Sequence, residues 1–336
     1  MNSQPIIHYS IIICAYNPEE NILRRCLNAV QSLNVSNILT EIIFVDNNSQ
    51  PALYDQEYIR QFVHSSSVIF LNVEKQGLSY ARSAGIKAAK GKYIVFFDDD
   101  NEPEENYIIE LVRLHSDFPE VIAWGPGTVN VDFLGEVDEK LRPLATAAFQ
   151  DRHETSVLYS NEPSWQPFYP YGTGLSINRE YLLQYISLVE ENKFTLTGRS
   201  GGQLTSGEDV QMVLFCLSKG ASAGVSPQLS ITHMVPSQRG TLAYLVKLTY
   251  GTSVSYSTCV AEVFPDYIKE VYAKIMPERK FIRRVLKKFI SLTFNPNPIK
   301  KIDLVRYIGA IAGDYKAINK PLPSLVGWVL TKLKAI

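Results

Sequence analysis

Asp98, Asp99 and Asp100 follow directly on the largely apolar run Tyr93 to Phe97, so three adjacent carboxylates end what reads as a buried strand. Like charges this close repel, and burying even one unpaired carboxylate is costly. Two arrangements relieve that cost. In one, Asp98 and Asp100 hold a divalent cation through oxygen ligands, and the cation bridges the phosphates of a nucleotide. In the other, Asp100 caps a helix that begins near Pro103, with Glu104 and Glu105 in its first turn.

Other residues carry the same double meaning. Asp46, at the end of "IIFVD", can accept hydrogen bonds from a uracil or ribose edge, or close an Asx turn. Arg82, one turn into the segment after Gly77, can reach a diphosphate or the acidic cluster, or sit solvated on a helix. Glu208 and Asp209 open the segment "EDVQM". Acids in a first turn suit the helix dipole, and one of them can also take the proton of an attacking hydroxyl. His233, in "SITHMVP", is either a third metal ligand or a satisfied structural histidine.

These residues need a frame that brings them to one place. "YSIIICAY" (9–16), "EIIFVD", "VIFLNVE" and "KYIVFFDDD" read as strands, and helical patterns separate them. In "NPEENILRRCLNAVQSL" Asn17 is a cap candidate and Pro18 suits the first helical position. Ile22, Leu23, Cys26, Leu27 and Val30 form one apolar face of that helix. Alternating strand and helix units of this length predict a mostly parallel, Rossmann-like sheet flanked by helices. Ligands of such sheets bind beyond the carboxyl ends of the strands, which gathers residues 15–17, 46–49 and 98–100 at one rim. A Gly/Ser-rich loop then leads to a helix expected to be capped by Ser206 and stopped by Gly220.

Composition narrows the rest. Of the 336 residues, 46% are hydrophobic and 20% charged, ordinary values for a folded chain. A net charge of −1 argues against a nucleic-acid partner. That average hides an asymmetry, because from Phe264 onward there are 15 Lys and Arg against 5 Asp and Glu. An acidic body with a basic end suggests that the end faces something anionic. Cys14, Cys26, Cys216 and Cys259 show no metal or CxxC spacing and read as reduced, buried thiols. Neither a signal peptide nor a run of ~18 apolar residues is visible, so a cytoplasmic protein is expected.

In "RKFIRRVLKKFISL" (279–292) apolar pairs alternate with basic pairs, giving a helix with one apolar and one cationic face. Such a helix lies on an anionic membrane surface, here the inner face of the plasma membrane, or packs on its own domain with the cations in water. The sequence therefore divides into 1–260, with halves 1–125 and 126–260, and a helical, basic and amphipathic extension at 261–336.

Taken in order, "IIICAYNPEENILRRCLNAVQSL", "EIIFVDNNS", "GLSYARSAGIKAAKGKYIVFFDDDN", "YGTGLSINREYL", "SGEDVQMVLFCLSKG" and "ITHMVPSQRGT" resemble the inverting, family 2 nucleotide-sugar glycosyltransferases of the GT-A fold. The resemblance spans roughly residues 9 to 255 and implies roles. Ala15, Tyr16 and Glu19 would line the nucleotide pocket and Asp46 would meet the base. Arg82, Asp98 and Asp99 would face the donor, though Ser83 replaces the asparagine usual after that arginine. Asp98 and Asp100 would be the DxD acids and, with His233, hold a Mg²⁺ or Mn²⁺ ion, Asp100 being the more direct ligand of the two acids. Gly172, Thr173 and Gly174 would close over the transferred sugar, and Trp165 in "SWQPFYPYG" would shape the acceptor side. Asp209 would be the catalytic base, with Glu208 beside it on the acceptor hydroxyl; Arg239 follows His233 as in a subset of relatives.

The implied reaction moves a sugar from a nucleotide-diphosphate donor, a UDP-sugar being favoured, to a glycan or lipid-linked acceptor in surface polysaccharide synthesis. A nucleotidyltransferase is the alternative enzyme, but "CAYNPEE" lacks the Gly-rich basic loop expected there. A degenerate membrane-bound scaffold would be expected to lose Asp98, Asp100 or Asp209, and all three are present.

Overall fold

The computed structural model describes residues 8–65, 68–195, 204 and 207–336. Its elements begin with β1 (Tyr9–Ala15), α1 (Glu20–Gln31), β2 (Thr40–Asp46), α2 (Glu57–Ser65), β3 (Ile69–Asn72), α3 (Leu78–Ala88) and β4 (Tyr93–Asp98). They continue with β5 (Asn101–Pro103), α4 (Tyr107–Asp117), β6 (Val121–Leu134), α5 (Arg142–Ala148), β7 (Arg152–His153), β8 (Leu158–Ser160), β9 (Ser176–Asn178) and α6 (Arg179–Glu190). Then come α7 (Glu208–Ser218), β10 (Ser222–Pro236), α8 (Leu242–Val263), α9 (Tyr267–Lys274), α10 (Glu278–Phe294), α11 (Pro298–Ala317) and α12 (Ser324–Leu333).

Contacts divide the chain into two units. One comprises Met1–Asp132, Gln150–Thr197 and Met212–Met234; the other comprises Phe133–Phe149, Gly198–Gln211 and Val235–Ile336. Residue 260 lies inside α8.

The first unit is built on the sheet, ordered β3-β2-β1-β4-β9-β6-β10-β5. The first four strands are parallel, as the alternating pattern predicts. Beyond β4 the sheet is mixed, because β9 runs antiparallel to both β4 and β6, and β5 antiparallel to β10. All seven residues of β1 are buried, which explains the apolar run Ile11 to Ala15: a central strand covered on both faces has no solvated side, and its Ser10 hydroxyl donates to Glu41 at 2.6 Å. Helix α1 buries Ile22, Leu23, Cys26, Leu27 and Val30, the face expected from their spacing. Its predicted cap is different. Glu19 holds the N-cap position without a side-chain bond, while the Asn17 side chain accepts the backbone N–H of Gln50 at 2.8 Å. Asn17 thus ties the β1 end to the loop after β2. Gly220 stops α7 as expected, with φ +80°. The cap proposed for Ser206 lies outside the described residues.

One core group carries a testable pH dependence. The His115 ring stacks on Tyr93 at 3.7 Å, and its Nδ1 lies 2.8 Å from the Tyr9 hydroxyl. Burial, reinforced by Lys92, lowers its pKa from 6.5 to about 3. An unfolded chain binds this proton near pH 6.5 and the fold excludes it until about pH 3, so stability falls as pH drops through that window. The slope from this group is at most ~1.4 kcal/mol per pH unit. Urea unfolding of wild type and His115→Gln across the window should show the variant flatter by about one proton; identical slopes would contradict this.

The second unit is largely helical. Helices α8 and α11 pack closely: a Cβ added at Gly313 would stand 2.9 Å from the Val254 carbonyl oxygen, so this crossing requires glycine. The Ser257 hydroxyl donates to Asp314 at 2.7 Å across the same contact. Among the described residues no helix is long and apolar enough to cross a membrane.

Candidate active site

Strand register assembles the acidic rim. Asp46 ends β2 opposite Ala15, and Asp98 ends β4 opposite Cys14, so both carboxylates flank the last residues of β1. Ala15 is buried, whereas Tyr16 and Glu19, just beyond it, are exposed. The Tyr16 hydroxyl accepts from Gln76 at 2.8 Å. Asp46 is only 2% exposed, and its two oxygens accept the backbone N–H groups of Ser49 and Leu53, both at 2.9 Å. The carboxylate thus closes the turn after β2. What remains toward a base or ribose is the second lone pair of each oxygen.

Asp98 pairs with Arg82. The guanidinium Nη2 lies 3.0 Å from its carboxylate, and the group sits 5.3 Å from the Phe96 ring. Arg82 is buried on the face of α3 that also carries Ala81 and Gly85. It is therefore not a solvated helix arginine: small neighbours let it lie beside the sheet at the end of β4.

The helix-cap reading of Asp100 fails. The chain after Asp100 forms strand β5, and the next helix starts at Tyr107 behind Asn106. Asp100 is held as part of a strand pair instead, its carbonyl accepting from Met234 N–H at 2.8 Å. His233 on β10 is paired with Asn101 on β5, which sets its Nε2 3.6 Å from the Asp100 carboxylate. Asn101, fully buried, accepts the Asp98 backbone N–H and donates to the Asp100 carboxylate. It locks the acidic turn into one shape. Its work becomes visible only with the pairing of β5 and β10.

Among the described residues no three of His, Cys, Asp and Glu stand as a ready metal cluster. Of the expected ligands Asp98, Asp100 and His233, Asp98 pairs with Arg82 at 3.0 Å and Asp100 lies 3.6 Å from His233. Asp100 and His233 still fit a divalent ion as two protein ligands, the number usual where substrate phosphates complete the shell.

The 172–174 turn is set by packing. Gly174 has φ +68°, and a Cβ there would meet Ile231 at 2.4 Å and the Tyr107 hydroxyl at 2.5 Å. The same hydroxyl donates to the Gly174 carbonyl at 2.7 Å. Thr173 is buried and Leu175 bonds to Phe96 of β4, so the turn is fixed against the acidic strand. Trp165 lies against Tyr169 and Tyr171, at 5.8 and 5.4 Å between ring centres. Arg152, which the sequence reading passed over, donates to the carbonyls of Pro167, Phe168 and Tyr169 and holds this aromatic segment.

In the second unit Glu208 and Asp209 begin α7, both buried. Gln211 in the same turn donates to Glu262 of α8 at 2.7 Å. The Cys259 thiol, pushed well up in pKa by burial and then by Asp209, Glu262 and Glu208, donates weakly to the Gly207 carbonyl. Arg239 lies in the 3-10 turn Ser237–Gly240. The segment 196–206, apart from Leu204, lies outside the described residues.

The chain belongs to glycosyl transferase family 2, whose family model matches residues 10–182, more than half its length. Its sheet is parallel through the first four strands and flanked by helices, as the alternating sequence pattern predicts. It is 37% identical over 101 residues to glycosyltransferase AglE of Haloferax volcanii, a match spanning 30% of this chain and 32% of that protein. It is 22% identical over 257 residues to the succinoglycan biosynthesis protein ExoM of Rhizobium meliloti, covering 76% of each. A crystal structure of GalNAc-T7 with UDP, GalNAc and Mn²⁺ aligns at 16% identity and TM-score 0.47, over 76% of this chain and 51% of that one.

Proposed function

We propose that this protein transfers a sugar from a nucleotide-diphosphate donor to a glycan or lipid-linked hydroxyl, with inversion and with a divalent cation. The observation that carries the reading is the acidic turn after β4, where Asp100 and His233 stand 3.6 Å apart beside the Arg82–Asp98 pair. Asp100 and His233 would hold Mg²⁺ or Mn²⁺. That ion, when bound, offsets the charge that develops on the leaving diphosphate.

The remaining chemistry falls to side chains. Asp209 takes the proton of the acceptor hydroxyl as its oxygen bonds to the anomeric carbon, and the bond from that carbon to the diphosphate oxygen breaks. Glu208 orients the same hydroxyl. Attack from the face opposite the leaving group inverts the centre. Support for these roles comes from the order of motifs and the burial of both acids at the start of α7. Arg82 adds positive charge on the donor side, and the fixed turn at Gly172 to Gly174 gives the sugar a rigid wall. The relative ExoM is named for succinoglycan biosynthesis, which supports a glycan as the product class.

A panel of nucleotide sugars in a thermal-shift assay tests the reading, since a ligand bound by the fold alone raises its melting point. A UDP-sugar should raise Tm by several degrees with Mn²⁺ and much less without it. A panel in which no nucleotide sugar shifts Tm would overturn the proposal.

A further inference from the structure

The end of α10 presents apolar groups to solvent. Phe294 is 87% exposed, Ile290 53% and Ile299, at the start of α11, 50%. On α12 Leu325 and Trp328 are also about half exposed, with Trp328 edge-on to Phe289 of α10. Isolated exposed apolar residues are ordinary. Here Phe294 and Ile299 bound one turn, "FNPNPI", between α10 and α11, and Ile290 lies one helical turn before it.

The charges have a matching layout. At 100° per residue, one side of α10 carries Arg279, Arg283 and Lys287 in its first turns and Ile290 and Phe294 in its last. Arg279, Ile282, Arg283, Leu286, Lys287 and Ile290 line one groove along it. A second groove of about 570 Å³ between α10 and α11 is lined by Arg284, Lys287, Lys288, Lys300 and Tyr307, with Asp303 there engaged by Arg306. Meanwhile Phe281 and Val285 bury the inner side of α10 in its own unit. The sequence left open whether this helix packs on the domain or faces a membrane. It does the first with one side only.

We infer that the α10–α11 turn is a docking tip for an anionic lipid bilayer. Phe294, Ile290 and Ile299 enter the interface, and the cations of α10 and Lys300 lie against headgroups. A helix apolar at its tip and basic above it suits oblique insertion, because long Lys and Arg side chains reach back to the phosphates. The excess of basic residues beyond Phe264 supplies the complementary charge. Vesicle binding needs neither donor nor turnover, so the inference stands or falls apart from the proposed reaction.

Flotation of the full chain with vesicles tests it. Wild type should float with equal parts phosphatidylglycerol and phosphatidylcholine and stay behind with phosphatidylcholine alone. Phe294→Ser, at a side chain already in solvent, should weaken partition by about tenfold. Reversing Arg283, Arg284, Lys287 and Lys288 to Glu should weaken it by about a hundredfold or more, with circular dichroism confirming the fold of both variants. Equal binding to neutral vesicles, or Phe294→Ser floating like wild type, would overturn the inference. So would a failure to float together with a concentration-dependent dimer that Phe294→Ser dissolves, since the tip would then be an interface between copies of this chain.

Discussion

Asp209→Asn is expected to lower kcat by about 10²–10⁴-fold while leaving the affinity for a UDP-sugar close to that of wild type. Asparagine keeps the size of the side chain and can still accept the Val210 N–H, a bond of 2.9 Å in the native protein. It cannot take a proton at neutral pH. The α7 start is held independently by Gln211 and Glu262, so the backbone around residue 209 has little reason to move. A loss confined to kcat marks an interaction made in the transition state, whereas a rise in donor KM alone would mark a binding role. Steady-state release of UDP with the sugar chosen by the thermal-shift panel measures both. Turnover within a few-fold of wild type would remove Asp209 from the chemistry.

Asp100→Asn should be nearly as damaging for a different reason. The amide oxygen still accepts from the Asn101 side chain, and the Asp100 carbonyl still accepts from Met234 N–H, so the acidic turn keeps its shape. What disappears is the negative charge facing His233. If that charge holds the ion, donor binding and turnover lose their Mn²⁺ dependence, and kcat/KM falls by roughly 10²–10³-fold. Titration of wild type and variant with Mn²⁺ at fixed donor checks this. A variant with full activity and the native Mn²⁺ response would show that the ion is held elsewhere. An equal loss at Asp98→Asn would carry less meaning, because it also removes a carboxylate paired with buried Arg82.

The parts of this site that the sequence made legible are those governed by period and strand ends. An unbroken apolar run is a buried parallel strand, and parallel register then carries Asp46 and Asp98 to either side of β1. The buried face of α1 follows from spacing in the same way. What stayed hidden depends on partners far apart in the chain. The meeting of Asp100 and His233 is expected only through the family resemblance, because nothing near Asp100 announces that β5 will pair with β10 and deliver His233 from more than a hundred residues away. Nor does local sequence say that Arg82 faces inward, that Asn17 binds the Gln50 backbone rather than capping α1, or that Tyr107 fixes Gly174. Asp46 is the instructive case: both readings used the same chemistry, and the structure commits one lone pair of each oxygen to the turn.

The most direct measurement is calorimetric titration of UDP into the wild-type protein, with and without Mn²⁺. An ion held by Asp100 and His233 against the diphosphate predicts uptake tightened by at least about tenfold when Mn²⁺ is present, and no such gain in Asp100→Asn. Equal affinity in the two buffers would mean that the carboxylates ending β4 hold no cation against the nucleotide.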